Sequence, residues 1–118
     1  MNDKGETYPW PGNDPYDVVD PVLMPWARTH NINVAKRDRD YHVRSIWVYG
    51  ESGSAQIWLG WPVSNHKVDV FAAELDLSSP TKWRRREQRS VTLGDLERAL
   101  DEIHLIVFDW VGPGAHSA

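Results

Sequence analysis

The chain contains no cysteine, which excludes disulfide bonds and thiolate chemistry. It has no apolar run long enough to span a bilayer, and its first residues, Met1 to Glu6, are polar and unlike a signal peptide. These absences predict a cytoplasmic protein that does not associate with membranes. The net charge of −4 argues against nucleic acid as the main partner.

Motifs for catalysis and metal binding are also scarce. The chain has no glycine-rich phosphate loop, and its five histidines show no paired metal-ligand spacing. Asp38, Asp40 and His42 alternate along a short segment, which offers too few converging oxygens for a hard cation. Asp101 and Glu102 are neighbours on a predicted helix and point apart, so they do not form an acid–base pair. We therefore expect a non-enzymatic protein without a metal or cofactor.

Tryptophan is the residue that the chain has in excess, with seven in 118 residues. Indole combines a large apolar surface with an N–H group that needs a partner. Tryptophan is also enriched among the residues that anchor protein–protein interfaces. Because a small domain has little interior relative to its surface, we expect about one or two indoles to lie on a face that contacts a partner. The sequence thus favours a binding protein over an enzyme.

Composition divides the chain into an arm, a domain and a tail. Residues 1–15 are polar and contain proline and glycine, which is typical of a flexible arm. Residues 16–112 carry the periodic apolar patterns and predict a single α+β domain of ordinary size. Residues 113–118 follow a glycine–proline helix stop and are expected to form a tail.

A short N-terminal helix is predicted at the start of the domain. Asp20 suits the N-cap and Pro21 the first helical position, and apolar residues recur at helical spacing to about residue 31. Residues 35–40 then alternate in charge and indicate an exposed loop.

Extended patterns begin at residue 41. Three alternating runs, at 41–49, 55–61 and 68–73, are separated by short polar turns and predict an antiparallel meander. Residues 83–91 are long enough for a fourth strand, and their arginine content suits an exposed edge. We therefore expect an antiparallel sheet of three to four strands.

A long C-terminal helix is predicted to cover one face of this sheet. Thr92 and Asp95 match a capping box, and apolar residues then recur every three or four positions to Trp110, which predicts a helix of about 19 residues. A sheet with one apolar face needs such a cover. The expected contact joins Leu96, Leu100, Ile103 and Val107 on the helix to Ile57, Leu59, Val68 and Val70 on the strands.

The predicted fourth strand contains a basic block that has three interpretations. The arginines can protect a sheet edge while pairing with Asp95, Glu97 or Asp101 across the layer. With Trp83 as a stacking group, they can bind nucleic acid. They can also bind an acidic protein surface. The block consists of Lys82, Arg84, Arg85, Arg86 and Arg89, opposed only by Glu87.

Strand alternation places Trp58 and Phe71 on the sheet face away from the predicted core, where Trp47 and Tyr49 could join them. An aromatic patch on an open sheet face is a binding surface. The N-terminal helix could instead cover this face, and the sequence leaves both arrangements open. The predicted partner-binding residues are Trp58, Phe71, Trp83, Arg84 and Arg86.

Segments 21–27, 57–61 and 92–110 give the chain its order of short helix, aromatic strand and long helix. A small, cysteine-free, acidic α+β domain with this order resembles the immunity proteins of bacterial polymorphic and contact-dependent toxin systems. The resemblance implies an inhibitor that binds one cognate toxin domain and neutralises it. Two alternatives are a phage or accessory inhibitor of another host protein, and a nucleic-acid-binding module that uses Trp83–Arg89. The sequence does not indicate an oligomeric state.

Overall fold

The computed structural model describes residues 14–60, 67–76 and 82–118. These residues form an α+β fold, as the sequence predicts, with an antiparallel sheet, a short N-terminal helix and a long C-terminal helix. A 3₁₀ turn, Leu93–Asp95, precedes the second helix. The elements are α1 (Asp20–Thr29), β1 (Ala35–Asp38), β2 (Tyr41–Gly50), β3 (Gly53–Leu59), β4 (Lys67–Leu75), β5 (Trp83–Thr92), α2 (Leu96–Val111) and β6 (His116–Ser117).

The sheet has more strands than the three to four predicted. Its described strands follow the order β1-β2-β3-β4-β5, and β6 also pairs with β2. The expectation of a loop at 35–40 is wrong, because Ala35 pairs with Ser45 and Asp38 with Tyr41. All four side chains of β1 are exposed, so its pattern of charges carried no information about backbone pairing.

The C-terminal residues lie along the same edge of β2 as β1. His116 pairs with Tyr49 and Ser117 with Val48, within the segment 113–118 that the sequence suggested to be a tail. The backbone N–H of Asn33 donates to Ser117 Oγ at 2.9 Å and fastens this strand to the chain that precedes β1. Residues 1–13 of the predicted arm lie outside the described residues.

Helix α2 packs on one face of the sheet and forms the core with it. The expected core residues are all buried, as predicted. The predicted helix of about 19 residues is divided into the 3₁₀ turn Leu93–Asp95 and α2 itself, which has 16 residues. Thr92 makes no side-chain cap hydrogen bond there, so the capping box predicted from Thr92 and Asp95 does not form. The core residues that the sequence predicted, and that the structure buries, are Leu96, Leu100, Ile103, Val107, Ile57, Leu59, Val68 and Val70.

Helix α1 lies beside α2 rather than over the aromatic face. Trp26 Nε1 donates to Asp101 Oδ1 of α2 at 2.8 Å, and its ring meets His104 edge-on with 5.7 Å between centroids. Both helices are therefore on the same side of the sheet. In the described parts of the chain no helix covers the opposite face, which settles the alternative that the sequence left open.

The start of α1 also differs from the prediction. Val19 occupies the N-cap and makes no side-chain cap bond, while Asp20 is the first helical residue. The carboxylate of Asp20 instead accepts hydrogen bonds from Arg44 Nε and Nη2, both at 2.8 Å. A bidentate bond to a guanidinium is stronger than a cap to a backbone N–H, so tertiary contact decides the role of this side chain.

Candidate partner-binding site

The sheet face opposite the helices, here called the open face, is defined by strand register. On β2 and β3 the pairs Ile46–Ile57 and Val48–Ala55 point toward α2 and are buried. The alternate pairs must point the other way, because successive side chains of a strand face opposite sides. This places on the open face Ser45, Trp47, Tyr49, Gln56, Trp58, Phe71, Gln88 and Arg86.

Trp58, Phe71 and Trp83 form an aromatic patch on this face. Trp58 and Phe71 are register partners on β3 and β4, and their rings stack with centroids 5.3 Å apart and planes 18° apart. The ring centroid of Trp83 on β5 lies 6.4 Å from that of Trp58, and Trp83 is 39% exposed. Offset stacking of this kind is a favourable arrangement of two aromatic rings.

Arg86 borders the patch on the β5 side. Its strand register pairs it with Ala73 of β4, which places it beside Phe71 on the open face. A hollow of about 210 Å³ lies between Arg86 and the aromatic patch, and its lining includes Trp58 and Phe71. Among the described residues Arg86 makes no ion pair, so its guanidinium is available to an incoming group.

A second and larger hollow lies on the other side of Trp58. It has a volume of about 480 Å³ and is lined by residues of β1, β2 and β3, including Trp47, Gln56 and Arg37. The Gln56 amide N–H donates to Ser45 Oγ at 3.4 Å. Trp58 therefore lies between two hollows, and each is open to an inserted side chain.

Arg84 lies apart from the other predicted site residues. The register of β4 and β5 shifts between Glu74 and Leu75, and Arg84 falls in this irregular stretch. Its Nη1 reaches Glu74 Oε2 at 3.9 Å, and Glu74 is buried on the helix side of the sheet. The structure thus brings together Trp58, Phe71, Trp83 and Arg86, with Arg84 at the margin.

The other arginines of β5 serve the fold. Arg85 Nε donates to Glu74 Oε1 at 2.7 Å, and its guanidinium lies 5.5 Å from the Trp110 ring. Arg89 pairs with Glu87 at 2.8 Å and with Glu102 of α2 at 3.3 Å. The pairing predicted with Asp95, Glu97 or Asp101 is wrong, because the acceptors nearest to β5 are on β4, on β5 itself and on α2 at Glu102.

A buried ion cluster around Arg44 was missed from the sequence. Arg44 is 1% exposed and binds Asp14 and Asp20, with His42 Nδ1 3.1 Å from Asp14. Its guanidinium lies 4.8 Å from the ring centre of Tyr16. Arg44 shares strand parity with Ile46 and Val48, so an inward-facing arginine was visible in the pattern. The cluster is closed by its own partners and holds the chain before α1 against β2.

Burial and hydrogen bonding shift two pKa values in this cluster. Burial raises the pKa of Tyr16 to about 12, and its hydroxyl donates to the Leu59 carbonyl at 3.0 Å. Burial also acts to raise the pKa of Asp14, but hydrogen bonds from Arg44 and from the Tyr16 backbone N–H outweigh it and leave that pKa below 3.8.

A second unpredicted cluster joins α1 to α2. The rings of His30 and His104 are 4.8 Å apart, and His104 lies 4.2 Å from Phe108. Burial, and next the nearby His30, lower the pKa of His104 below 6.5, which favours the neutral ring. His30 Nε2 is 3.5 Å from Asp101 Oδ1. Within the described ranges no group of three His, Cys, Asp or Glu side chains is arranged to hold a metal ion.

Comparison with known proteins adds no relative to this geometry. No protein-family model matches the chain, and no curated protein and no solved structure gives a significant match. Among the described residues no helix is both long and apolar enough to cross a membrane.

Proposed function

We propose that this protein is a non-enzymatic binding protein that docks a partner protein on its open face. The observation that carries the proposal is the aromatic patch of Trp58, Phe71 and Trp83, bordered by Arg86, which makes no ion pair among the described residues. An apolar centre with a charged rim is the usual arrangement of interface hot spots, in which Trp and Arg are over-represented. Because the rings are already held by the sheet, little side-chain freedom is lost on docking.

We further propose that the partner is a bacterial toxin domain and that binding inhibits it. The resemblance to immunity proteins supports this, as do the small size, the acidity and the shortage of catalytic motifs in the sequence. A cytoplasmic location, expected from the absence of cysteine, belongs to the same proposal. The partner surface should offer apolar side chains to the hollows beside Trp58 and a carboxylate to Arg86.

The acidic outer face of α2 is the rival docking surface, since it could imitate nucleic acid in a basic toxin groove. Two of its carboxylates are already used within the molecule. Asp101 accepts from Trp26 Nε1 at 2.8 Å, and Glu102 pairs with Arg89 at 3.3 Å. Glu97 and Asp109 remain exposed. The open face is favoured because its aromatic groups gain more from desolvation than two isolated carboxylates do.

Nucleic-acid binding through β5 is the second candidate function. Trp83, Arg84 and Arg86 are exposed and suit stacking and phosphate contacts. Against it, Arg85 and Arg89 are engaged by glutamates, so fewer cations are free than the sequence suggests. Fluorescence anisotropy with single-stranded DNA and RNA at physiological salt distinguishes the two. Submicromolar, salt-dependent binding lost in Arg84→Glu/Arg86→Glu would establish this alternative.

The direct test is co-expression with the products of the genes that flank the gene for this chain, because an immunity gene lies directly downstream of its toxin gene. We expect one flanking product to arrest growth alone, and this protein to restore growth and co-purify with it. If no flanking product binds, the immunity role is wrong. If the protein binds and inhibits a host protein that is not a toxin, the accessory-inhibitor alternative replaces it.

The docking face is tested by matched variants in the same complex. Trp58→Ala and Arg86→Ala should each weaken partner affinity by about 30-fold or more, mostly through faster dissociation. Glu97→Ala and Asp109→Ala are the controls, since both side chains are exposed on α2 and neither makes an ion pair among the described residues. Circular dichroism confirms that each variant folds. A loss confined to the two α2 variants would move the docking face to the acidic helix.

A further inference from the structure

Among the described strands, β5 lies at one edge of the sheet. It pairs with β4 from Trp83 to Thr92, except at Arg84, where the register shifts. In residues 14–60, 67–76 and 82–118, no strand pairs with its other side. Such an edge presents a row of backbone N–H and C=O groups about 30 Å long, which is a template for a further strand.

The charge along this edge is compensated on one side of the sheet only. On the helix side, Arg85 and Arg89 are held by Glu74, Glu87 and Glu102. Toward the open face, Arg86 makes no ion pair within the described chain, and Arg84, at the margin of that face, reaches a carboxylate only at 3.9 Å. The surplus positive charge therefore lies where β5 borders the aromatic patch.

A second copy of this chain is a poorer fit to the edge. Most antiparallel registers that pair two β5 strands would place arginines of one copy opposite arginines of the other, and like charges on facing strands are destabilising. A nucleic acid could contact Arg84 and Arg86 but has no groups that continue a backbone ladder. An extended protein segment with carboxylates on alternate residues satisfies both the ladder and the charges.

We propose that β5 accepts an extended acidic segment of a partner protein as an added strand. Its acidic side chains would lie near Arg84 and Arg86, and an apolar side chain would pack on Trp83 beside the patch. The proposal rests on the proposed function for the nature of the partner, and it adds where the partner's backbone docks. It also gives a role to Arg84 and Arg86, whereas Arg85 and Arg89 of the basic block are already paired with glutamates.

The test uses a synthetic ten-residue peptide that alternates Glu with Val and Thr, labelled for fluorescence anisotropy. We expect it to bind the full chain with a dissociation constant on the order of 100 μM. A peptide of the same sequence with N-methyl groups on alternate amides keeps the charge but cannot form the ladder. It should bind about tenfold more weakly, and hydrogen exchange should slow at β5 amides only with the unmodified peptide.

Two variants separate the edge from general charge attraction. Arg84→Glu/Arg86→Glu should abolish peptide binding, whereas Arg28→Glu/Arg37→Glu, which alters two exposed arginines on α1 and β1, should leave it within about twofold. Equal binding of the N-methylated peptide, no binding at about 1 mM, or a dimer in sedimentation analysis would each overturn the proposal.

The outcomes also separate this proposal from the docking face. If the peptide binds at β5 but the cognate complex is insensitive to Trp58→Ala, the edge stands and the open face is wrong as the main docking surface. If Trp58→Ala disrupts the complex while the peptide fails to bind, the proposed function stands and the added strand is wrong.

Discussion

Replacing Arg44 by methionine should destabilise the protein more than any other single charge removal. The guanidinium is 1% exposed and donates three hydrogen bonds to carboxylates, at 2.8 Å each, on Asp14 and Asp20. Its Nη1 also donates to the Val43 carbonyl at 2.7 Å. Removing one partner of a buried pair leaves the other charge unpaired and costs about 3–5 kcal/mol.

The lower end of that range is expected for Arg44→Met. Lys36 Nζ lies 3.9 Å from Asp20, so that carboxylate keeps a cation nearby, and His42 Nδ1 lies 3.1 Å from Asp14. Urea unfolding followed by circular dichroism at pH 7 should therefore show a loss of about 3 kcal/mol in the free energy of unfolding. The matched control is Arg37→Met on exposed β1, which should stay within about 0.5 kcal/mol. A loss below about 1 kcal/mol for Arg44→Met would refute the reasoning.

At acidic pH the free energies of unfolding of wild type and Arg44→Met should become more similar. The pKa of Asp14 lies below 3.8 in the folded protein, so its ionised form contributes stability above that pH, and the contribution is lost as pH falls through the folded value. Protonating Asp14 removes one of the two carboxylate partners of the buried Arg44 in the wild type. We expect the stability gap to narrow as pH falls below about 4, and a constant gap would contradict the assigned partners.

Three further changes test the core, the close packing at β2 and the Tyr16 contact. Leu100→Ala should cost about 2–5 kcal/mol in urea unfolding, because the side chain is fully buried under the sheet; a loss below about 1 kcal/mol would argue against close packing there. Gly50→Ala should cost about 1–3 kcal/mol because a Cβ would overlap the backbone carbonyl of Val111. Gly94→Ala is its control, since a Cβ there meets only Thr92 Oγ1 at 3.9 Å. Wild type should lose stability as pH rises from 10 toward the Tyr16 pKa of about 12, and Tyr16→Phe should flatten that loss in alkaline unfolding curves; parallel curves would be the contrary result.

The core and the central meander could be predicted because side-chain parity reports burial directly. Ile57 and Leu59 alternate with Trp58, and the structure places them on opposite faces of β3 as that period requires. The same parity predicted Phe71 on the face of Trp58, and the strand register makes the two residues direct partners. Local pattern was sufficient wherever a strand has one buried and one exposed face.

Strands β1 and β6 could not be predicted because their own side chains do not alternate in burial. Ala35–Asp38 is exposed at every position, and His116–Ser117 is only two residues long. Both pair with the same edge of β2, which is long enough to offer backbone groups to β1 near its start and to β6 near its end. Such strands are set by tertiary pairing, which leaves little trace in the residues that pair.

Charged residues were the hardest to assign, because composition does not distinguish their partners. In the sequence the arginines of β5 form one basic block. In the structure Arg85 binds a buried glutamate, whereas Arg86 lies on the open face because side chains alternate along the strand. Arg44 finds carboxylates 24 and 30 positions earlier in the chain, a distance that no local motif spans. After these internal pairs, Arg86 and the more loosely held Arg84 remain as a small positive surface beside Trp83 for the proposed partner. The net charge of the chain is therefore a poor guide to the proposed binding site, and the strand parity of each arginine is a better one.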